Sequence, residues 1–143
     1  MACTEGSLKT SFLLVLPTML FLLAMTGASR AGSDPNRNVT PGEAQALILK
    51  NKGNGNFVVL DVRTPGEFAK GHIEGAVLVD YRSAGFRKKM ADFDREKTYL
   101  VYCRTGNRST RALGIMRDLD FRSYYHLEGG ITRWVEDKLP TVQ

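Results

Sequence analysis

The stretch Thr98-Tyr99-Leu100-Val101-Tyr102-Cys103-Arg104-Thr105-Gly106-Asn107-Arg108-Ser109 runs an apolar segment into a polar turn through a cysteine. Thr98 to Tyr102 reads as a strand. A helix pattern follows from about Ser109 to Leu119, because Ala112, Ile115, Met116 and Leu119 recur at i, i+3, i+4 and i+7. Strands that alternate with helices build a parallel sheet covered on both faces. Ligands of such sheets bind beyond the carboxyl ends of the strands. Cys103 stands at one of those ends.

Backbone N–H groups converge between a strand end and a helix start. Arg104 and Arg108 add positive charge within the same few residues. A free thiol titrates at about 8.5, so little of it is ionised at neutral pH. Helix N-termini and nearby cations bring reactive cysteines to about 3.5–7.5. A drop of about two pH units corresponds to about 2.7 kcal/mol. A helix dipole with one or two cations is enough for that. The pattern therefore favours a nucleophilic thiol over an inert buried one, since a core cysteine has no use for flanking Arg and Gly.

The same alternation extends outward from this unit. Gly32 to Asn38 reads as a polar linker. Thr40-Pro41-Gly42-Glu43 is a capping box with Pro at the first helical position, which predicts a helix to about Asn51. Phe57 to Leu60 is a short continuous apolar run, as expected of a buried parallel strand. Thr64-Pro65-Gly66-Glu67 is a second capping box, opening a short helix that ends near Gly71. Ala76 to Val79 reads as another buried strand, and Ser83 to about Phe93 as helix. Ser123 to Leu127 reads as the last strand. Gly129-Gly130 marks a turn before a final helix over Ile131 to Asp137, and Pro140 stops further structure.

The chain has 143 residues, and its first thirty differ from the rest. Ser11 to Met25 is apolar apart from Ser11, Pro17 and Thr18; Lys9 precedes it and small residues follow. Residues 1–31 read as a secretory signal peptide cut near Ala28 or Ala31. The expected location is then periplasmic. An uncleaved N-terminal anchor facing the periplasm is the alternative, although the run is short for a membrane span. Residues 36–143 are expected to form one domain with a core of its own. Removal of 1–31 takes Glu5, Lys9 and Arg30, so the net charge falls from +5 to +4. Mild positive charge suits a small anionic substrate. The single basic run, Arg87-Lys88-Lys89, suits a solvated helix face rather than nucleic acid.

Cysteine counting narrows the chemistry. Loss of Cys3 would leave Cys103 alone, so the exported domain could form no internal disulfide. That domain would hold no second cysteine to resolve a sulfenic acid. Cys103, His72 and His126 show no metal-ligand spacing.

Three motifs in order make residues Asn38 to Pro140 resemble a single rhodanese domain. The first is Leu60-Asp61-Val62-Arg63, with Glu67-Phe68 and Gly71-His72-Ile73-Glu74-Gly75-Ala76 behind it. The second is the loop Cys103 to Arg108. The third is Leu127-Glu128-Gly129-Gly130-Ile131, with Trp134 and Leu139-Pro140. Lys138 stands where the family often has glycine. The resemblance implies a doubly wound α/β fold, a five-stranded parallel sheet with helices on both faces. It implies thiosulfate sulfurtransferase activity through a persulfide on Cys103, with no cofactor and no metal. The donor would be thiosulfate or a related small anion, and the acceptor cyanide, a thiol or a sulfur-accepting protein. No nucleic acid is expected, and no stable membrane association unless the N-terminal segment stays uncleaved.

In this reading the Cys103 thiolate attacks the outer sulfur of the donor and later hands that sulfur on. Arg104, Thr105, Gly106, Asn107, Arg108 and Ser109 form the cradle that binds substrate. Gly106 supplies a residue tolerant of positive φ. Arg104 and Arg108 attract the dianion, or serve as a solvated loop residue and a fold-internal ion-pair partner. Asp61, Arg63 and His72 support the site by fixing loops. Glu67 is expected to cap its own short helix, His126 to be structural and Trp134 to pack. Two other functions stay open. One is a persulfide carrier or sensor that docks a partner. The other is a phosphatase or arsenate reductase, whose cradle in related proteins is one residue longer than Cys103 to Arg108.

Overall fold

A computed structural model of the chain describes Met1 and residues 35–143. The signal-peptide reading of 1–31 falls outside the described residues. Ten elements follow in order: β1 (Arg37–Val39), α1 (Pro41–Lys50), β2 (Phe57–Asp61), α2 (Pro65–Ala69), β3 (Val77–Leu78), α3 (Phe86–Ala91), β4 (Thr98–Tyr102), α4 (Asn107–Asp118), β5 (Ser123–Leu127) and α5 (Gly130–Glu136). The five strands pair in the order β1-β5-β4-β2-β3, and every pairing is parallel. The strand–helix alternation predicts this parallel sheet, and the resemblance implies its five strands.

The capping boxes are formed as written in the sequence. Thr40 accepts from the Glu43 N–H, and Glu43 accepts from the Thr40 N–H; Thr64 and Glu67 repeat the exchange. Each box satisfies orphan donors of its helix start. Strand β4 lies in the middle of the sheet, paired along its length with β2 and β5. Its residues alternate between two cores because side chains two apart share a face. Tyr99, Val101 and Cys103 enter a core with Leu60, Val79, Met90, Ala112 and Met116. Leu100 and Tyr102 enter the other, with Val59, Ile73, Leu127, Ile131 and Trp134. The alternation therefore turns the thiol toward the side of the sheet covered by α4.

Three expectations need correction. The polar stretch before Thr40 is not all linker, because Arg37–Val39 is a strand paired with Tyr125 to Leu127. Its polarity fits an edge position, where only one side of the ribbon is covered. The strand expected over Ala76 to Val79 shrinks to Val77–Leu78. Val77 is 41% exposed. This strand is the opposite edge, paired with β2 alone. The helix expected from Ser83 begins at Phe86, because Ser83 closes a turn on the Asp80 carbonyl.

Candidate functional site

Cys103 directly follows β4, and the next three residues turn the chain back over it before α4 begins at Asn107. The turn needs glycine. Gly106 has φ +106°, in the left-handed region. The Gly106 N–H donates to Cys103 Sγ at 3.1 Å, and the Ser109 hydroxyl lies 3.4 Å from the same sulfur. The cysteine is 1% exposed. Burial alone pushes the thiol up; the Ser109 hydroxyl and the N–H groups of Ser109, Gly106 and Thr105 outweigh it and hold Cys103 below the ordinary thiol range. The donors around the sulfur are thus backbone N–H groups and one hydroxyl.

The rear of the loop is fixed by α5. The Ile131 N–H donates to the Cys103 carbonyl at 2.9 Å, and the Thr132 N–H to the Arg104 carbonyl at 3.0 Å. This close approach explains Gly130. A Cβ there would stand 2.4 Å from the Cys103 carbonyl oxygen and 2.6 Å from that of Arg104. The Gly-Gly pair read as a turn in sequence is also what lets the last helix grip the cysteine loop.

The two arginines of the loop part company. Arg108 donates from both terminal nitrogens to Glu67, each at 2.7 Å. Glu67 already caps α2, so one carboxylate serves a helix start and a helix 41 residues away. The Arg108 guanidinium and burial oppose one another on Glu67; the hydrogen bonds prevail and its carboxyl lies well below the usual range. Arg104 is exposed. It lines a cleft of about 600 Å³ with Arg63, Glu67, Lys70, Thr132 and Val135. Among the described residues no side chain pairs with the Arg104 guanidinium. Thr105 and Asn107 are exposed on the loop, and Ser109 is fully buried beneath it.

The supporting residues form a second layer. Asp61 and Arg63 make a buried bidentate ion pair, with the shortest contact 2.6 Å, and Asp61 also accepts from the Arg63 N–H. Arg63 reaches on to the Gly71 carbonyl at 2.8 Å and lies over the Tyr102 ring. Burial opposes the Arg63 charge, but Asp61 overrides it and keeps the guanidinium strongly basic. His72 stacks on Phe68 with ring centroids 3.7 Å apart, meets the Phe68 carbonyl, and pairs in a backbone bridge with Val142. Its side chain makes no hydrogen bond to the cysteine loop.

One neighbour of the site was not legible as such. His126 Nε2 lies 2.8 Å from Ser109 Oγ, and its Nδ1 lies 3.1 Å from Asn38 Oδ1. The imidazole comes from β5 and the amide from β1, so only the pairing of those strands brings them together. Nothing local in Ser123 to Leu127 marks the histidine, and Asn38 sat in the supposed linker.

Fold and site define an α/β domain that presents a cradled cysteine at the carboxyl end of its central strand. The chain belongs to the rhodanese family: the Rhodanese-like domain matches residues 44–137. Curated relatives include the thiosulfate sulfurtransferase GlpE of Pseudomonas entomophila, 37% identical over 90 residues that cover 63% of this chain and 78% of the relative. A sulfurtransferase of Allochromatium vinosum is 27% identical over 70% of this chain and 92% of its own length. The probable adenylyltransferase/sulfurtransferase MoeZ of Mycobacterium tuberculosis is 34% identical over 71% of this chain, but the chain spans only 25% of that protein. Among solved structures, a rhodanese-related protein of Thermoplasma volcanium matches at TM-score 0.62 and 30% identity, covering 74% of this chain and 97% of the other. A Rhodopseudomonas palustris protein described as a possible tyrosine phosphatase matches at TM-score 0.63 and 26% identity, covering 74% and 84%.

Proposed function

We propose that this domain is a sulfurtransferase that takes a sulfane sulfur from thiosulfate, or a related anionic donor, onto Cys103 and passes it to cyanide or a thiol. The observation that carries this reading is the Cys103 sulfur held by the Gly106 N–H and the Ser109 hydroxyl, with its thiol lowered despite near-complete burial. A thiolate needs no separate base at the moment of attack. Its electron pair forms a bond to the outer sulfur of thiosulfate, the bond between the two donor sulfurs breaks, and sulfite leaves with that pair. Cys103 is then a persulfide anion, which the cradle donors suit as they suit the thiolate. Attack by cyanide on the terminal sulfur releases thiocyanate and restores the thiolate, so charge and atoms balance in a ping-pong cycle.

Arg104 is the cation we assign to donor capture, because it stands exposed at the cleft without a partner among the described residues. Arg108 stabilises the loop through Glu67, and adds positive potential near the sulfur. A second reading, phosphoryl or arsenate chemistry, draws on the Rhodopseudomonas neighbour's description. Intact-mass spectrometry after thiosulfate treatment separates the two. We expect an adduct of about one sulfur atom that is absent in Cys103→Ser, and thiocyanate formation lost in the same variant. Phosphatase turnover without adduct or thiocyanate would overturn the proposal. Adduct formation with negligible turnover would identify a sulfur carrier that docks a partner.

A further inference from the structure

Behind the cysteine loop runs a chain of polar contacts that the sulfur-transfer cycle above leaves unused. Asn38 Oδ1 lies 3.1 Å from His126 Nδ1, His126 Nε2 lies 2.8 Å from Ser109 Oγ, and Ser109 Oγ lies 3.4 Å from Cys103 Sγ. We infer that these four residues form a proton relay in which His126 is a positioning residue that stores the Cys103 proton, through Ser109, whenever the thiolate forms. The inference rests on Cys103 being the nucleophile of the proposed function, not on the identity of the donor.

The hydrogen-bond inventory supports the direction. Asn38 Oδ1 is an acceptor, so it selects the tautomer with hydrogen on Nδ1 and leaves a lone pair on Nε2 toward Ser109. The Ser109 hydroxyl has one hydrogen and three acceptors in reach, Nε2 at 2.8 Å, the Gly106 carbonyl at 2.9 Å and Sγ at 3.4 Å; in the relay it donates to Nε2 and accepts from the thiol. On ionisation the S–H bond breaks with its electron pair kept on sulfur. Ser109 Oγ takes that hydrogen and releases its own to Nε2. The products are thiolate, an unchanged hydroxyl and an imidazolium. Ser109 can then turn its hydrogen to sulfur while Nε2–H donates to Oγ, which stabilises the thiolate as attacker and as leaving group. Burial pulls His126 below the ordinary histidine value, while the Gly106 backbone and Glu128 pull the other way and favour the imidazolium that the relay forms.

The surroundings fit a proton store. A Gly106 Cβ would stand 3.7 Å from His126 Cε1, so the loop packs directly on the ring. The ring also lines a separate cavity of about 330 Å³ with Asn38, Thr110, Leu113 and Arg117. That cavity shares no lining residue with the Arg104 cleft, so the ring meets solvent on a different side of the loop from Arg104. The charged or titratable groups facing the relay are Glu128 and Tyr124 from β5 and the turn after it, Arg117 from α4, Arg37 from β1, and Arg108 near the sulfur.

The test is the pH dependence of Cys103 alkylation by iodoacetamide, read by intact mass on the full chain. His126→Gln should move the alkylation midpoint upward and slow the reaction about tenfold at mildly acid pH, one pH unit being one decade of thiolate. Ser109→Ala should do the same, and adding His126→Gln to Ser109→Ala should change the rate less than about twofold, because the route is already cut. Asn38→Ala, at an exposed position, should shift the midpoint in the same direction by less. A His126→Gln profile that superimposes on the wild type overturns the relay. So does full additivity of the two variants, which would mean that His126 acts on sulfur without Ser109. If His126→Gln fails to fold, an unchanged Asn38→Ala profile is the overturning result. Loss of thiocyanate formation in the wild type with the alkylation shifts intact would sink the sulfurtransferase reading alone.

Discussion

Arg108 and Glu67 meet in two parallel hydrogen bonds of 2.7 Å, the guanidinium of the cysteine-loop helix clamped on the carboxylate that caps the helix after β2. The pair is mostly shielded, with side-chain exposures of 15% and 29%. Glu67→Gln keeps the shape and removes the charge, so one of the two bonds to Arg108 is lost and the other loses its charge assistance. Charge-assisted hydrogen bonds contribute about 1.5–3 kcal/mol, which partial exposure trims here to about 1–2 kcal/mol. Thermal melting should fall by roughly 4–8 °C per kcal/mol in a domain of this size. An unchanged melting temperature would reduce the pair to a surface contact.

The same carboxylate sets an acid limb of stability. Glu67 titrates lower in the folded domain than in the unfolded chain, so below the unfolded carboxylate value of about 4.3 the unfolded chain binds more protons. Its contribution is therefore complete above that pH and declines as pH falls toward the folded value. Urea denaturation from pH 6 down to about 3 should show wild-type stability falling more steeply than that of Glu67→Gln. Parallel curves would contradict the linkage.

Asp61→Asn should be the most damaging conservative change outside the loop. Asp61 is fully buried, and its side chain holds both the guanidinium and the backbone N–H of Arg63. Removing one charge of a buried pair strands the other, at a cost of about 3–5 kcal/mol. That is a large share of the roughly 5–15 kcal/mol a domain has in total. The urea midpoint should drop sharply, and thiosulfate loading should fail only as far as the folded fraction does.

Gly130→Ala and Gly106→Ala separate overlap from backbone strain. Both glycines have positive φ, which costs a substituted residue about 1–3 kcal/mol. At Gly130 the new methyl also overlaps the Cys103 and Arg104 carbonyls, whereas at Gly106 its nearest neighbour is 3.7 Å away. Gly130→Ala should therefore be the less stable of the two by melting and should lose most thiocyanate formation, because the cradle floor must shift. Equal melting temperatures would argue against the grip of α5 on the loop.

Arg104→Ala should raise KM for thiosulfate several-fold with a smaller change in kcat, since an exposed cation recruits a dianion more than it stabilises the transferred sulfur. The wild-type KM should rise with ionic strength and the variant's much less, screening being strong beyond about 10 Å at 0.1 M salt. A salt dependence unaffected by the substitution would move donor capture to another cation of the cleft, such as Lys70.

Much of the frame was legible because its signals are local. β4 and β5 span the residues expected of them, and both capping boxes form as spelled, since a cap involves residues three apart. The edge strands were less legible. β1 is polar and only three residues long, and β3 has two residues with one exposed, so neither carries the apolar run that marks a buried strand. The Ser83 start of α3 failed because a serine serves a turn as readily as a helix cap.

The sequence by itself determined the alternation of strands and helices, the position of Cys103 between a strand end and a helix start, and the need for glycine at 106. Each follows from short-range rules: apolar period, cap spacing and permitted φ. Tertiary structure decided the partners. Arg108 went to Glu67, Gly130 was claimed by the approach of α5, and His126 with Asn38 was carried to Ser109 by the pairing of β1 with β5. These contacts join residues 17 to 88 positions apart, and no local pattern specifies which distant side chain will satisfy a buried polar atom.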